Sequence, residues 1–209
     1  MNYDYTVRNG HIDYAFLRGD RRLVFIKPGL GTDCMGFEHK YLRMAHRLRD
    51  TYGCGVMVAA NPNDGTSHAD SDKAMLEQYM AENPTDPSEL YCFGSSNGCI
   101  KGLELTGRGV AFRRMVLVNM PLMINFHKTK GYISAIPQTE ILAIYGELDP
   151  SIPYIPFLKG RFENVRVPTV PNADHNFKGM IVGYIALCDS LFREWTNPVY
   201  PAHLRLEGD

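Results

Sequence analysis

Short runs of apolar and β-branched residues recur along the chain. They are continuous rather than alternating, which is typical of strands that are covered on both faces of a sheet. Segment 3–17 alternates more regularly between apolar and polar residues, and it predicts one or two antiparallel edge strands that turn near residues 8–10. The continuous runs are residues 23–26, 55–60, 90–93, 115–118 and 141–145.

Segments with apolar residues at three- and four-residue spacing lie between these runs and predict helices. Because strands alternate with helices, we expect an α/β fold: a doubly wound, mostly parallel sheet with helices on both faces and antiparallel N-terminal edge strands. No repeat, linker or low-complexity block divides the chain, so we predict a single domain over residues 1–209. The predicted helices are residues 38–52, 70–82, 97–106 and 178–195.

Charge and composition exclude several classes of protein. Lys and Arg number 22 against 23 Asp and Glu, which leaves no basic excess to attract nucleic acid. The N-terminal segment has no apolar run of the kind that a signal peptide or a membrane span requires, so we expect a cytoplasmic protein with no membrane contact. The five cysteines are scattered without C-x-x-C spacing, which indicates free buried thiols rather than disulfides. The histidines are not paired at ligand spacing and no dinucleotide loop is present, so we expect neither a metal nor an organic cofactor.

A nucleophile motif follows the third continuous run. The run leads into Gly94-Ser95-Ser96-Asn97-Gly98 and then into helical sequence. This is G-x-S-x-G in the strand, sharp turn and helix context that exposes a serine hydroxyl above a sheet. We therefore predict that Ser96 is a catalytic nucleophile. Ser95 fits this role less well because its flanking residues do not match the motif.

A serine hydroxyl is a weak nucleophile without a base, and the base is in turn oriented by an acid. Of the seven histidines, His175 is distinguished by its place in a loop between the strand-like segment 164–170 and the last predicted helix. Asp149 lies in the loop after the run at 141–145. The chain order Ser, Asp, His is that of one hydrolase fold and differs from the chymotrypsin and subtilisin orders. Glu147 and Asp174 are rival acids, which we expect to be solvated loop charges.

A glycine-bearing turn, Lys27-Pro28-Gly29-Leu30-Gly31, follows the first continuous run. Its glycines allow a backbone to approach a ligand closely. As a phosphate loop it is weak, because it lacks both a lysine after the second glycine and the G-x-G-x-x-G spacing. A tight turn that requires glycine is the alternative, and nucleotide binding is the least supported function of this chain.

Together these motifs resemble those of the α/β-hydrolase family, over approximately residues 23–195. The matching pieces are KPGLG, GSSNG, YGELDP and NADHNF. The resemblance implies an oxyanion hole made of two backbone N–H groups, one after the nucleophile and one in the glycine-bearing turn. The implied site consists of the nucleophile Ser96, the acid Asp149, the base His175, and the N–H groups of Leu30 and Asn97 in the oxyanion hole.

The sequence departs from the family in two places. Most members carry His-Gly where this chain has Pro28-Gly29, and that change leaves the backbone donor in place. Segment 119–140 is short where lipase-like members insert a helical cap, so we expect a minimal lid and an open site suited to small, soluble acyl substrates. Apolar residues of this segment are expected either to bind the acyl group or to pack in the core or a dimer contact, with Met120, Leu122 and Phe126 as the substrate-binding candidates.

The expected function is that of a serine hydrolase that cleaves a small-molecule acyl ester through an acyl-enzyme, as a carboxylesterase does. A thioesterase, an amidase or a peptidase would use the same machinery, and the sequence does not distinguish them. A non-catalytic, hydrolase-like binding domain is an alternative of a different class. The oligomeric state is not determined, although a short lid leaves room for a second copy of the chain, as in a homodimer.

Overall fold

The computed structural model describes residues 1–194 apart from the side chain of Asn125. In this part of the chain, strands form a nine-stranded sheet in the order β1-β2-β4-β3-β5-β6-β7-β8, with β9 also paired to β7. β2 is antiparallel to both β1 and β4, and the remaining pairs are parallel. The strands are β1 Tyr5–Asn9, β2 Ile12–Leu17, β3 Leu23–Lys27, β4 Gly55–Ala59, β5 Leu90–Ser95, β6 Arg114–Val118, β7 Glu140–Gly146, β8 Val165–Arg166 and β9 Thr169–Val170.

Two groups of helices flank this sheet. α1 packs with α5 and the last 3-10 helix, whereas α3 packs with α2 and α4. None of the helices in residues 1–194 combines the length and the apolar character needed to span a membrane. The helices are α1 Lys40–Tyr52, α2 Ala69–Glu82, α3 Asn97–Thr106, α4 Leu122–Ser134 and α5 Ile181–Ala186, with 3-10 helices at Phe37–His39, Pro87–Glu89, Ile152–Phe157 and Leu187–Leu191.

The predicted fold class is confirmed, and the central strands β3 to β7 agree with the five continuous apolar runs to within two residues at either end. Nearly every residue of these strands is buried, as expected when helices cover both faces. Segment 3–17 forms the antiparallel hairpin β1–β2 at the sheet edge. Its two-residue turn is Gly10-His11, and Gly10 supplies the positive φ of 62° that such a hairpin turn requires.

Two predicted elements near the C-terminal end are shorter than expected. The predicted helix 178–195 begins only at Ile181, because Gly179 has a φ of 75° and cannot belong to a helix, and its described part consists of α5 and the 3-10 helix that follows it. Its predicted end at Trp195 lies outside the described residues. The strand-like segment 164–170 is split into β8 and β9, since Pro168 between them has no N–H to donate to the ladder.

A buried ion pair ties α2 to the end of β3. Lys27 Nζ lies 2.7 Å from an Asp72 carboxylate oxygen, and both side chains are only 1% exposed. Lys27 also donates to the Ala60 carbonyl at 3.0 Å, and the Tyr14 hydroxyl donates to Asp72 at 3.1 Å. Charges removed from water in this way are stable only when they are paired and hydrogen-bonded. The pair therefore fixes the point at which the glycine-bearing turn leaves the sheet.

All five cysteines are free and buried. They lie in different parts of the fold, from the loop after β3 to the last 3-10 helix, and belong to the hydrophobic core. Their packing role agrees with the expectation from the sequence.

Candidate active site

The turn between β5 and α3 holds Ser96 in a strained conformation. Its φ of 49° and ψ of −124° lie in a region that a non-glycine residue rarely adopts. The Ser96 N–H donates to the Val118 carbonyl at 2.8 Å. A Cβ on Gly98 would lie 2.1 Å from the Lys27 carbonyl oxygen, and one on Gly94 would lie 2.7 Å from Cys99 Cα. The two flanking glycines therefore let α3 pass directly against β5 and β3.

A chain of hydrogen bonds connects the three side chains that the sequence motifs predict at the site. Ser96 Oγ lies 2.9 Å from His175 Nε2, and His175 Nδ1 lies 2.5 Å from Asp149 Oδ2. The Asp149 carboxylate is completely buried, whereas the His175 side chain is 36% exposed. The other Asp149 oxygen accepts the Ser151 N–H at 2.7 Å, and this second hydrogen bond fixes the orientation of the carboxylate. The structure thus brings Ser96, His175 and Asp149 together in that order.

The loops that carry Asp149 and His175 are hydrogen-bonded to each other. The Glu147 N–H donates to the Val170 carbonyl and the Leu148 N–H donates to the Ala173 carbonyl, both at 2.9 Å. A Cβ on Gly146 would lie 2.4 Å from the Ala173 oxygen, so glycine is required for this close approach. The loops of Asp149 and His175 are therefore positioned as one unit at the carboxyl end of the sheet.

The rival residues are engaged elsewhere. Glu147 Oε2 accepts the Asn172 N–H at 3.1 Å, and Asp174 Oδ1 accepts the N–H groups of Asn176 and Lys178. Both carboxylates thus stabilise the backbone of the loop around His175, and neither is hydrogen-bonded to its ring. Ser95 is buried at the end of β5, in contrast to the partly exposed Ser96.

The glycine-bearing turn packs against the nucleophile turn. A Cβ on Gly29 would lie 3.6 Å from Ser96 Cβ. Asn97 is the first residue of α3, so its N–H lies outside the helical ladder. Among the described residues, the N–H groups of Leu30 and Asn97 donate to no acceptor. Both donors are thus available to a ligand.

The apolar candidates of segment 119–140 fall into two environments. Met120 and Leu122 are completely buried and belong to the hydrophobic core. Phe126 is partly buried, and its ring centroid lies 5.5 Å from that of Phe157. α4, which takes up most of this segment, is the crossover between the parallel strands β6 and β7 and packs on α3. A role of these residues in acyl binding stays a prediction.

Burial also determines the state of two titratable groups next to the site. It raises the pKa of the Cys99 thiol and that of the Tyr145 hydroxyl well above their ordinary values. The Cys99 thiol donates to the Val118 carbonyl at 3.3 Å. Both groups are therefore neutral at physiological pH, and Cys99 packs behind the nucleophile turn rather than acting as a thiolate.

Two buried asparagines at the site were not selected from the sequence. Asn119 directly follows β6 and contacts the loops of Asp149 and His175, and Asn61 follows β4 and contacts the glycine-bearing turn. Position is the signal that could have found them, because both stand just beyond the carboxyl end of a core strand. An amide at a strand end is neither charged nor nucleophilic, so no catalytic motif singles it out.

Comparison with solved structures identifies the architecture. Est1E from Butyrivibrio proteoclasticus superposes with a TM-score of 0.69 at 11% identity, over 90% of this chain and 97% of that one. S-formylglutathione hydrolase (FrmB) from Staphylococcus aureus matches with a TM-score of 0.67 at 10% identity, over 90% of this chain and 95% of that one. XC6422 from Xanthomonas campestris, described as an α/β serine hydrolase without a lid, matches with a TM-score of 0.64 at 19% identity, over 93% and 95% of the two chains.

This chain has the α/β-hydrolase fold. The resemblance drawn from KPGLG, GSSNG, YGELDP and NADHNF is thereby confirmed at the level of the fold. No protein-family model and no curated protein sequence matches the chain. Within residues 1–194 of this α/β-hydrolase fold, His, Cys, Asp and Glu side chains form no group of three or more that could hold a metal ion.

Proposed function

We propose that this protein is a serine hydrolase that cleaves small acyl esters through a covalent acyl-enzyme. The observation that carries the proposal is the hydrogen-bonded chain from Ser96 Oγ to His175 Nε2 and from His175 Nδ1 to Asp149 Oδ2, at 2.9 and 2.5 Å. This arrangement activates a hydroxyl that is otherwise a weak nucleophile. The strained backbone of Ser96 is a second support, since such strain is concentrated at functional sites.

His175 is the base in the first half of the proposed reaction. Its Nε2 accepts the Ser96 hydroxyl proton as Oγ attacks the carbonyl carbon of the ester. The imidazolium then donates that proton to the departing alkoxide, which leaves as the alcohol. Buried Asp149 holds Nδ1–H and stabilises the imidazolium.

Water completes the reaction. His175 accepts a proton from a water molecule, whose oxygen attacks the acyl-enzyme carbonyl, and then returns the proton to Ser96 Oγ. The products are a carboxylic acid and a regenerated serine, so the net reaction is ester plus water giving acid plus alcohol. In each half, the free N–H groups of Leu30 and Asn97 stabilise the oxyanion of the tetrahedral intermediate.

We propose that the transferred acyl group is small. The crossover between β6 and β7 consists of α4 without an inserted cap domain, and His175 remains partly exposed. Phe126 has accessible surface on α4 and is our candidate for contact with the acyl group. Esters are proposed over amides as the substrate class, because an alcohol is a better leaving group than an amine; a thioester would use the same catalytic residues, and the panel of acyl donors below separates it from an ester.

Labelling with a fluorophosphonate probe tests the proposal. We expect the wild-type protein to be labelled, Ser96→Ala to lose labelling, and Ser95→Ala, the neighbouring serine in the same turn, to retain it. Absence of labelling in folded wild-type protein would overturn the proposed function in favour of a binding domain. Labelling that survives Ser96→Ala would assign the nucleophile to another residue.

A panel of matched acyl donors then tests the substrate class. Acetyl and butyryl groups would be offered on the same alkyl group as esters, as thioesters and as amides, and kcat/KM would be compared at fixed acyl chain. The proposal predicts the highest kcat/KM for the esters. A higher value for the thioesters would make the protein a thioesterase with the same catalytic residues.

A further inference from the structure

Asn119 occupies a strained position at the carboxyl end of β6, between the strands that carry the nucleophile and the acid. Its φ is 52°, a left-handed conformation that asparagine tolerates better than most residues. Its N–H donates to the Ile144 carbonyl at 2.8 Å, which extends the β6–β7 ladder by one residue. The residue is 1% exposed, so its side chain amide needs partners within the protein.

The side chain of Asn119 connects the loops of the base and the acid. Its Nδ2 donates to the His175 carbonyl at 2.8 Å and also lies 3.3 Å from the Asp174 carbonyl. Its Oδ1 accepts the Gly146 N–H at 2.8 Å. Gly146 leads directly into the acid loop, where its carbonyl accepts the Asp149 N–H at 3.0 Å. One amide thus holds the main chain of both loops.

Ser96 is hydrogen-bonded to the backbone next to Asn119. The carbonyl of Val118, the residue before Asn119, accepts the Ser96 N–H at 2.8 Å. The dipeptide Val118-Asn119 therefore touches the segments of Ser96, Asp149 and His175. Of the side chains of this size, only an amide supplies both the donors and the acceptor that these contacts require.

We propose that Asn119 is a positioning residue that sets the distance and angle of the His175 ring relative to Asp149 and Ser96. This inference rests on the proposed function for its kinetic consequence, whereas the His175–Asp149 geometry can be measured independently of it. A displacement of about 1 Å in a reacting group can lower a rate by about 100-fold. We therefore expect loss of the Asn119 amide to slow acylation by about 10- to 100-fold.

Two variants distinguish the effect of the Asn119 side-chain amide from that of its strained backbone. Asn119→Gly removes the side chain and keeps a residue that adopts positive φ freely. Asn119→Asp keeps the shape and the acceptor for Gly146 but replaces the donor to the His175 carbonyl by an oxygen. Asn164→Ala is the matched control, because Asn164 Nδ2 also donates to two backbone carbonyls, those of Ile136 and Thr139, at the opposite end of the sheet.

Two measurements are made on each folded variant. The first is the second-order rate constant for fluorophosphonate labelling, at a temperature where unfolding curves show the variant to be folded. The second is the downfield proton NMR resonance of the short His175 Nδ1–H···Asp149 hydrogen bond. We expect both Asn119 variants to label about 10- to 100-fold more slowly and to shift or lose this resonance, while Asn164→Ala changes neither.

The possible results are distinguishable. Wild-type labelling rates together with an unmoved resonance in Asn119→Gly or Asn119→Asp would overturn the inference. So would failure of both variants to fold, because Asn119 would then be a determinant of folding. If the wild-type protein itself does not label, the proposed hydrolase function fails, and the NMR resonance alone decides whether Asn119 positions His175.

Discussion

The side chain amide of Asn61 donates a hydrogen bond of 2.9 Å to the backbone carbonyl of Pro28. The same Nδ2 lies 3.2 Å from Oδ1 of Asn97. Backbone hydrogen bonds strengthen this connection, since the Gly31 N–H donates to the Asn61 carbonyl at 2.7 Å and the Asn61 N–H to the Thr32 carbonyl at 2.9 Å. A single buried residue therefore links the glycine-bearing turn to the start of α3, and so links the two proposed oxyanion donors.

Replacing Asn61 is expected to impair turnover. Asn61→Ala removes the link, and because loss of one oxyanion donor costs about 100- to 1,000-fold in kcat, displacement of the donors should cost about 10- to 100-fold. KM is expected to change less, since the oxyanion contacts develop in the transition state. Steady-state kinetics on a p-nitrophenyl ester measures the effect. Asn83→Ala is the control, because Asn83 Nδ2 donates to the Tyr79 carbonyl at the end of α2; equal losses in the two variants would contradict the prediction.

The acid is expected to act through the orientation and charge of His175. Asp149→Asn leaves a side chain of the same shape but removes the charge that fixes Nδ1–H, and the expected loss in kcat is about 1,000- to 10,000-fold. Glu147→Gln changes an exposed carboxylate two residues away that bonds the Asn172 N–H, and it should lower kcat by less than about 10-fold. The same ester assay tests both variants. A comparable loss in Glu147→Gln would remove the basis for assigning the acid to Asp149.

The sequence predicts the central strands and the turn of Ser96 better than the side-chain contacts that link the loops of the site. Continuous apolar runs define β3 to β7 because burial on both faces leaves no place for polar residues, and G-x-S-x-G locates the strained turn of Ser96 because its glycines are required by packing. Asn61 and Asn119 carry no comparable signal. Asn119 contacts His175 across 56 residues of chain, and such a contact depends on strand order, which no local pattern encodes. The late beginning of the last predicted helix, at Ile181 instead of residue 178, likewise depends on the positive φ of Gly179, which composition does not reveal.

Removal of only one partner of the ion pair between Lys27 and Asp72 is expected to destabilise the protein strongly. Lys27→Met leaves the Asp72 carboxylate buried without its cation and should lower the free energy of unfolding by about 3 to 5 kcal/mol. The double variant Lys27→Met with Asp72→Leu should recover most of that loss, because neither charge then remains buried. Urea unfolding measures each variant. Arg8→Met, which breaks an exposed pair with Asp13 at 3.7 Å, should change stability by less than about 1 kcal/mol.

Stability is expected to fall at alkaline pH. Burial raises the pKa of Tyr79 to about 12, and burial together with the hydrogen bond to Glu89 raises that of Tyr91 to about 12. Since these hydroxyls ionise near pH 10 in the unfolded chain, the unfolded state loses protons first, and stability decreases as the pH rises from about 10 to about 12. Urea unfolding at a series of pH values measures this slope. Tyr79→Phe should flatten it, and an unchanged slope would exclude Tyr79 as a contributor.

The five buried thiols can report local unfolding in five different parts of the fold. Burial raises the pKa of Cys34 and of Cys54 to about 12, and that of Cys92, Cys99 and Cys188 in the same direction, so an alkylating reagent finds neither access nor thiolate in the native state. Each thiol becomes reactive only when its own region opens. Peptide mass spectrometry after timed alkylation would therefore compare two rates of local opening. Cys99 reports the opening of α3, the helix behind Ser96, and Cys188 reports that of the last 3-10 helix. No cysteine has to be introduced by mutation.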